Sequence, residues 1–436
     1  MSQNNSADVI VVGGGLAGLT AAAFAARAGK KVALFERARD LGGRAATQNE
    51  AGFLFNMGPH ALYNAGEARP ILRELGLELK GRAPAVSGGF AMMNGRKHTL
   101  PGGPLALLTT SLIPLTAKLE LARLMGGLPR LDPQPLQTTT LNEWLSGAVR
   151  NDTVRELLRA LVRVATYTNA ADRLSAGTAI RQLQLAFGKG VTYLDGGWQT
   201  LVDGLRRAVE QSGGVRLVAG AKVESVDIDG TARGVHLADG SSWQARAVIL
   251  TGGPADVSAA VHGGSHPVLR QLADTAAPVR AACLDLGLSR LPKPSATFAL
   301  GIDQPLYLSV HSAAAKLGPD GTATVHVAKY LPVGKEGDAR ADERELESIM
   351  DLIQPGWRDA VLQRRFLPRM IVSHNVATAT GGGLAGRPDV DVAGIENLYI
   401  AGDWVGAAGM LADASLASAK RAAQLAAGSR TLHAAA

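Results

Sequence analysis

The chain is poor in several residue types, and each shortage narrows what it can be. Among 436 residues there is one cysteine, Cys283. A lone thiol excludes an intrachain disulfide and any metal centre built from several thiolates, and no metal site is expected. It suits a reducing compartment, so a cytoplasmic protein is expected. Aromatic residues make up only 4% of the chain, and its lysines and arginines are scattered rather than clustered. A nucleic-acid surface needs stacking rings interleaved with basic runs, so no nucleic-acid partner is expected. The first eight residues are polar and lack the apolar core of a secretory signal. No apolar run reaches the ~20 residues of a spanning helix. The least charged stretch, residues 99–117, is broken by Pro101, Pro104 and Pro114.

What is present is a large apolar fraction, 46%, against 19% charged residues. That composition buries a sizeable core. The net charge of +7 fits an anionic cofactor or a membrane surface.

The most informative stretch is the first. Residues 8–12 form a short run rich in β-branched side chains, which predicts a buried parallel strand. Gly13, Gly15 and Gly18 follow with G-x-G-x-x-G spacing. Residues 16–28, rich in alanine and leucine, predict a helix that Gly29 stops. Residues 30–35 predict a second strand that ends in Glu36. Strand, glycine turn, helix, strand and acid, in that order, make a dinucleotide-binding unit. The first glycine allows the tight turn, the second lets backbone approach a pyrophosphate, and the third lets helix and strand pack closely. Leu16 and Ala17 open the helix, whose free N–H groups attract phosphate. Glu36 accepts from the ribose hydroxyls, with Arg37 beside it. Gly42-Gly43-Arg44 then forms a glycine turn that brings a guanidinium to the same phosphates.

With Ala45, these motifs resemble the flavin-dependent amine oxidase and phytoene desaturase superfamily. The resemblance implies FAD, held without a covalent link. It implies that residues 51–63 enter the flavin site, with Asn56 where that family usually has Asp. Gly58 and Pro59 then turn the chain at the cofactor. His60 either packs in that turn or, with Tyr63, faces flavin or substrate. The backbone of Val223 would meet the adenine, and Thr251 and Gly252 would cross the cofactor after the strand at 247–250. Residues 398–410 carry the second signature. There Asp403, after Gly402, would contact the ribityl or phosphate portion. Backbone at Gly409, Met410 and Leu411 would approach the flavin pyrimidine edge, where a helix N-terminus stabilises the charge of reduced flavin.

The expected fold class is α/β. A Rossmann-like FAD-binding domain, with a parallel sheet in three layers, takes residues 1–80, 193–256 and 390–430. An interleaved α+β substrate domain takes residues 81–192 and 257–389. Further expectations are a helix over 65–79, a second sheet opening in the alternating stretch 86–100, and a hairpin turn at Asn94-Gly95 within it. Residues 140–143 predict a capping box, and residues 215–229 a strand pair. His374 and the glycine run 381–383 read as a surface loop near the active site. Residues 99–131 either line a tunnel for a lipophilic substrate, dip into a membrane, or form a buried helix pair.

The resemblance implies hydride transfer from, or to, a lipophilic, isoprenoid-like small molecule through flavin N5. His60 is the first candidate base and Asp413 the second. One alternative is an amine or amino-acid oxidase releasing hydrogen peroxide. Its aromatic pair would come from Tyr63 and Trp404, since no Tyr or Phe follows Trp404. The other is a non-catalytic binding protein of the same fold, like the prenyl-protein escort proteins.

Overall fold

A computed structural model describes residues 5–85, 88–335 and 337–428. Residues 1–4, residues 429–430 and Val86, which opens the alternating stretch, lie outside the described residues.

Five parallel strands form the sheet that organises the nucleotide site. Their spatial order is Val215–Ala219, Val32–Glu36, Val9–Val12, Ala247–Leu250 and Leu398–Ile400. These strands come from four distant parts of the chain. The helix Leu16–Arg27 packs between Leu411–Ala426 and Gln199–Ser212 on one face. Its alanines keep that packing close: Ala21, Ala22, Ala23 and Ala25 are all fully buried. A three-stranded antiparallel sheet, Val223–Asp229, Thr231–Leu237 and Ser242–Gln244, makes a third layer. Trp243 of that layer meets Phe35 of the parallel sheet edge-on at 5.2 Å.

Residues 215–229 are not a strand pair. Val215–Ala219 lies parallel to Val32–Glu36, while Val223–Asp229 pairs in the other sheet. Both segments read as strands, but their pattern does not say which distant strand each will join. Between them, Gly220 turns the chain at φ +72°. The helix expected over 65–79 is shorter, Ala68–Glu74, and Gly76 ends it at φ +84°.

The second sheet has seven strands. Their order is Val361–Ser373, Val279–Leu288, Ala323–Tyr330, Leu306–Val310, Phe298–Gly301, Phe90–Met93 and Arg96–Thr99. The last two form the expected hairpin, with Asn94 at φ +51° and Gly95 at φ +70° in its turn. Helices Leu115–Gly127, Asp152–Thr166 and Ala176–Gly188 share one apolar cluster with this sheet, and Ala339–Ile353 packs in another. The strand Val361–Ser373 carries Met370, Ile371 and Val372 to the nucleotide site.

Candidate functional site

One cavity takes backbone from both ends of the chain. Gly15, Leu16 and Ala17 line it, as do Gly42 and Arg44, Pro59 and His60, and Gly402 and Asp403. Met410, Leu411 and Asp413 close it.

The glycine cradle is tight where the motif requires it. Gly13 sits at φ +109°, and a Cβ there would lie 2.4 Å from the Thr251 hydroxyl oxygen. That hydroxyl donates to the Val12 carbonyl at 2.8 Å, so Thr251 buttresses the turn from behind. Gly15 caps the first helix with no side-chain hydrogen bond, leaving the first-turn N–H groups open to an anion. The Glu36 carboxylate accepts from the N–H of Gly14 at 2.5 Å and of Ala38 at 2.8 Å. The Ala221 N–H donates to the Glu36 carbonyl at 2.8 Å, bringing the segment before Val223 beside the acid. Glu36, Arg37, Val223 and Gly252 are not among the cavity walls. Glu36 and Gly252 sit at the carboxyl edge of the parallel sheet, where dinucleotides bind. Arg37 is largely exposed, 3.5 Å from Asp256.

Behind the cavity lies a charged cluster. Asp403 is 1% exposed. Arg44 donates to its Oδ2 at 2.8 Å and to the Val372 carbonyl at 2.9 Å. The His374 backbone N–H donates to the same Oδ2 at 3.1 Å, and its Nδ1 lies 2.9 Å from Oδ1. Burial opposes the charge of Asp403, but Arg44 and His374 outweigh it and hold the carboxyl well below the usual range. The surface-loop expectation for His374 is thus corrected. The strand Val361–Ser373 ends against the nucleotide site and delivers the next residue to Asp403.

His60 lies in the cavity wall, edge-on to Trp198 at 4.6 Å. Its Nδ1 is 3.0 Å from the Gly58 carbonyl, so that nitrogen carries the proton. Burial pushes its pKa down to about 4 against the pull of the Gly58 and Arg44 backbone. The ring is neutral at physiological pH and able to accept a proton.

Asp413 sits in the first turn of the last helix. Its Oδ1 accepts from the Ala68 N–H at 2.8 Å, tying the start of the helix Ala68–Glu74 to this wall. Its Oδ2 is buried with no hydrogen-bond partner among the described residues. Burial pushes the pKa up to about 6, partly offset by the Ala68 bond. The folded state therefore disfavours the charged form. The penalty is absent below the ordinary carboxylate value of about 3.9 and grows until the pH passes the folded value. In Asp413→Asn the loss of stability between pH 4 and pH 8 is expected to be smaller by about 2 kcal/mol. Chemical denaturation at both pH values measures it. An unchanged difference would show that Asp413 is not perturbed.

Trp404 does not reach the cavity. It is 1% exposed in the core, and its indole N–H donates to the Gly252 carbonyl at 3.1 Å. The Tyr63–Trp404 pair expected for an amine oxidase is therefore not formed. Tyr63 does line the cavity, with its hydroxyl donating to the Ala165 carbonyl at 2.8 Å. Asn56 is buried and plays a local structural part. Its side-chain oxygen accepts from the Thr47 hydroxyl at 2.7 Å and the Trp198 N–H at 2.9 Å.

Sequence reasoning missed Tyr167, Trp198, Met370, Ile371 and Val372 as cavity walls. Trp198 follows the pair Gly196-Gly197, which is the one local signal among them.

Over 106 residues, 23% of this chain and 19% of that protein, the sequence is 39% identical to a component of the limonene dehydrogenase of Castellaniella defragrans. Over 59 residues, 14% of this chain and 12% of that protein, it is 51% identical to carotenoid 3,4-desaturase of Haloarcula japonica. The matched stretches span less than a fifth of either relative's length. In fold the chain is similar to an oxidoreductase from Methanosarcina mazei, with TM-score 0.76 and 19% identity over 95% of this chain and 99% of that one. The family model described as flavin containing amine oxidoreductase matches residues 16–278, more than half of the chain. With the glycine cradle, the open helix start and the Arg44–Asp403 pair all meeting at one cavity, the chain belongs to that flavin-containing oxidoreductase family and its cofactor is FAD.

Proposed function

We propose that this FAD-dependent oxidoreductase moves a hydride between a lipophilic, isoprenoid-like substrate and flavin N5. The observation that carries this reading is the chemistry of the cavity wall. Met57, Leu62, Met370, Ile371, Val372 and Leu411 give it a flexible apolar lining. Arg44 is paired with Asp403, and Asp413 holds the Ala68 N–H.

The residues present fit FAD. Gly13 and Gly18 leave no room for a Cβ, and the first-turn N–H groups and Arg44 suit a diphosphate. Bound FAD supplies the hydride acceptor. The chain's part is to bury and orient the substrate C–H and to take up the proton. Asp413, with a pKa raised to about 6, is better matched to neutral pH than His60 at about 4. Both remain proposals. Anaerobic mixing with isoprenoids, amines and amino acids, followed by flavin absorbance, tests the substrate class. Bleaching by isoprenoids alone is expected. Bleaching by amines or amino acids alone would sink the reading.

A lipophilic substrate has to be collected from somewhere apolar. Leu105, Leu108, Leu115 and Leu119 are 75%, 67%, 76% and 53% exposed on the helices Pro104–Thr109 and Leu115–Gly127. Under them, Ala117 and Leu121 join the apolar cluster that reaches Tyr167 and Met370 at the cavity. The same segment carries Arg96, Lys97, Lys118, Arg123 and Arg130 against a single acid, Glu120. No helix among the described residues is long and apolar enough to cross a membrane. These features support a surface that lies on an anionic bilayer. Co-sedimentation with anionic vesicles is expected for the native chain and lost on Leu115→Glu with Leu119→Glu. Equal pelleting of both would remove this part of the proposal.

A further inference from the structure

We infer that Arg387 sets the reduction potential of the bound FAD, by fixing the turn that starts the last helix and by placing a buried positive charge behind it. The inference rests on the cofactor alone and not on the proposed substrate.

Arg387 belongs to no motif. It lies in the loop that follows the glycine run at 381–383. Its Nη1 donates to the Gly409 carbonyl at 2.9 Å. Its Nη2 is buried with no hydrogen-bond partner among the described residues. Burial pulls its pKa down to about 10, opposed only by Asp403. Asp403 gives it no hydrogen bond, because both carboxylate oxygens are already taken by Arg44 and His374. Arg44 and Arg387 thus set two positive charges against Asp403, and the charge of Asp413, the other acid lining this cavity, is disfavoured by burial.

The turn held by Arg387 is strained. Gly409 sits at φ +70° and Leu411, not a glycine, at φ +55°. Met410, between them, is buried against Ala377 and Leu384 of the loop that carries Arg387. Met410, Leu411 and Ala412 line the cavity, and Met410 caps the helix with no side-chain hydrogen bond. The guanidinium is therefore one residue removed from a cavity wall made of helix-start backbone. Oxidised flavin is neutral, and two-electron reduction leaves negative charge on the ring. A fixed cation in a low-dielectric setting favours the reduced form. Helix start and guanidinium act with the same sign.

Two variants separate charge from shape. Arg387→Gln keeps a donor for the Gly409 carbonyl and removes the charge. Arg387→Lys keeps the charge and loses the planar fork. The readout is sulfite, which adds at flavin N5 and puts negative charge on the ring, together with the midpoint potential from dye equilibration. Sulfite affinity is expected to fall on the order of 10-fold in Arg387→Gln. The potential should drop by the ~30 mV that corresponds to a tenfold change in a two-electron equilibrium. Arg387→Lys should stay within about 3-fold of the native chain. Loss of FAD from Arg387→Gln but not from Arg387→Lys also supports the charge. Equal effects in the two variants, no effect in either, or loss of FAD from both would overturn the inference.

Discussion

Asp403→Ala is expected to lose FAD by at least ~100-fold and to destabilise the fold by about 3–5 kcal/mol, the range for breaking a buried ion pair from one side. The carboxylate is 1% exposed and is the acceptor for the Arg44 guanidinium and for two N–H groups of His374. Removing it leaves Arg44 and Arg387 with no anion between them, and His374 with no partner there. Part of the loss reaches the cofactor directly, since Arg44 lines the cavity. Part is structural, because the Arg44–Asp403 pair ties residues 44 and 403 across the site. Added FAD should recover some of the lost stability, because its diphosphate supplies the missing negative charge. The pH dependence follows from the depressed carboxyl. Its contribution is present above the unfolded value of about 3.9 and is lost as the pH falls below it. Asp403→Asn should flatten that acid limb. Thermal midpoints with and without FAD at about pH 2.5 and pH 7 measure all three effects. Native-like flavin content and midpoint in Asp403→Ala would mean that the pair is incidental.

The parts of this site that were legible in the sequence are those in which a local pattern forces a local geometry. Gly13 must adopt a positive φ, Gly18 must have no side chain, and an acid must end the second strand, so residues 8–36 announced the nucleotide fold. Asn94-Gly95 announced a hairpin because its turn requires positive φ at both positions. Thr140 and Glu143 announced a helix start, and both bonds of that capping box are present. Partnership across the chain was not legible. Val215–Ala219 lies parallel to a strand about 180 residues earlier, and its own pattern carries no address. Met370, Ile371 and Val372 look like any bulged strand until that strand is placed against Arg44. Trp404 stands in a recognised cofactor motif, yet its ring turns into the core to bond Gly252. Arg387 carries no signal at all, because a buried guanidinium and a solvated one have the same letter.

Gly18→Ala tests the opening motif where two principles predict opposite signs. Gly18 lies inside the helix Leu16–Arg27, and alanine is favoured over glycine in a helix interior by about 1 kcal/mol. Propensity alone therefore predicts a more stable protein. The packing predicts the reverse. A Cβ on Gly18 would sit 1.8 Å from the Gly13 carbonyl oxygen, 2.9 Å from its carbonyl carbon and 3.2 Å from the Thr251 hydroxyl. Two of these three atoms are backbone, so no rotamer change relieves the clash. The helix would have to lift from the strand Val9–Val12, loosening Leu19, Ala22 and Ala26, which are buried in the same cluster as that strand. A net destabilisation of about 2 kcal/mol or more is expected, with loss of FAD, because the shift moves the Gly15–Ala17 backbone that lines the cavity. Gly126→Ala supplies the contrast. Gly126 lies in the helix Leu115–Gly127 with nothing within 4 Å of the added methyl, so propensity acts unopposed and stability should rise by up to ~1 kcal/mol. Urea midpoints for the two variants, taken together, decide the point. Stabilisation by both would show that the helix and strand are not held together as tightly as the glycine spacing requires.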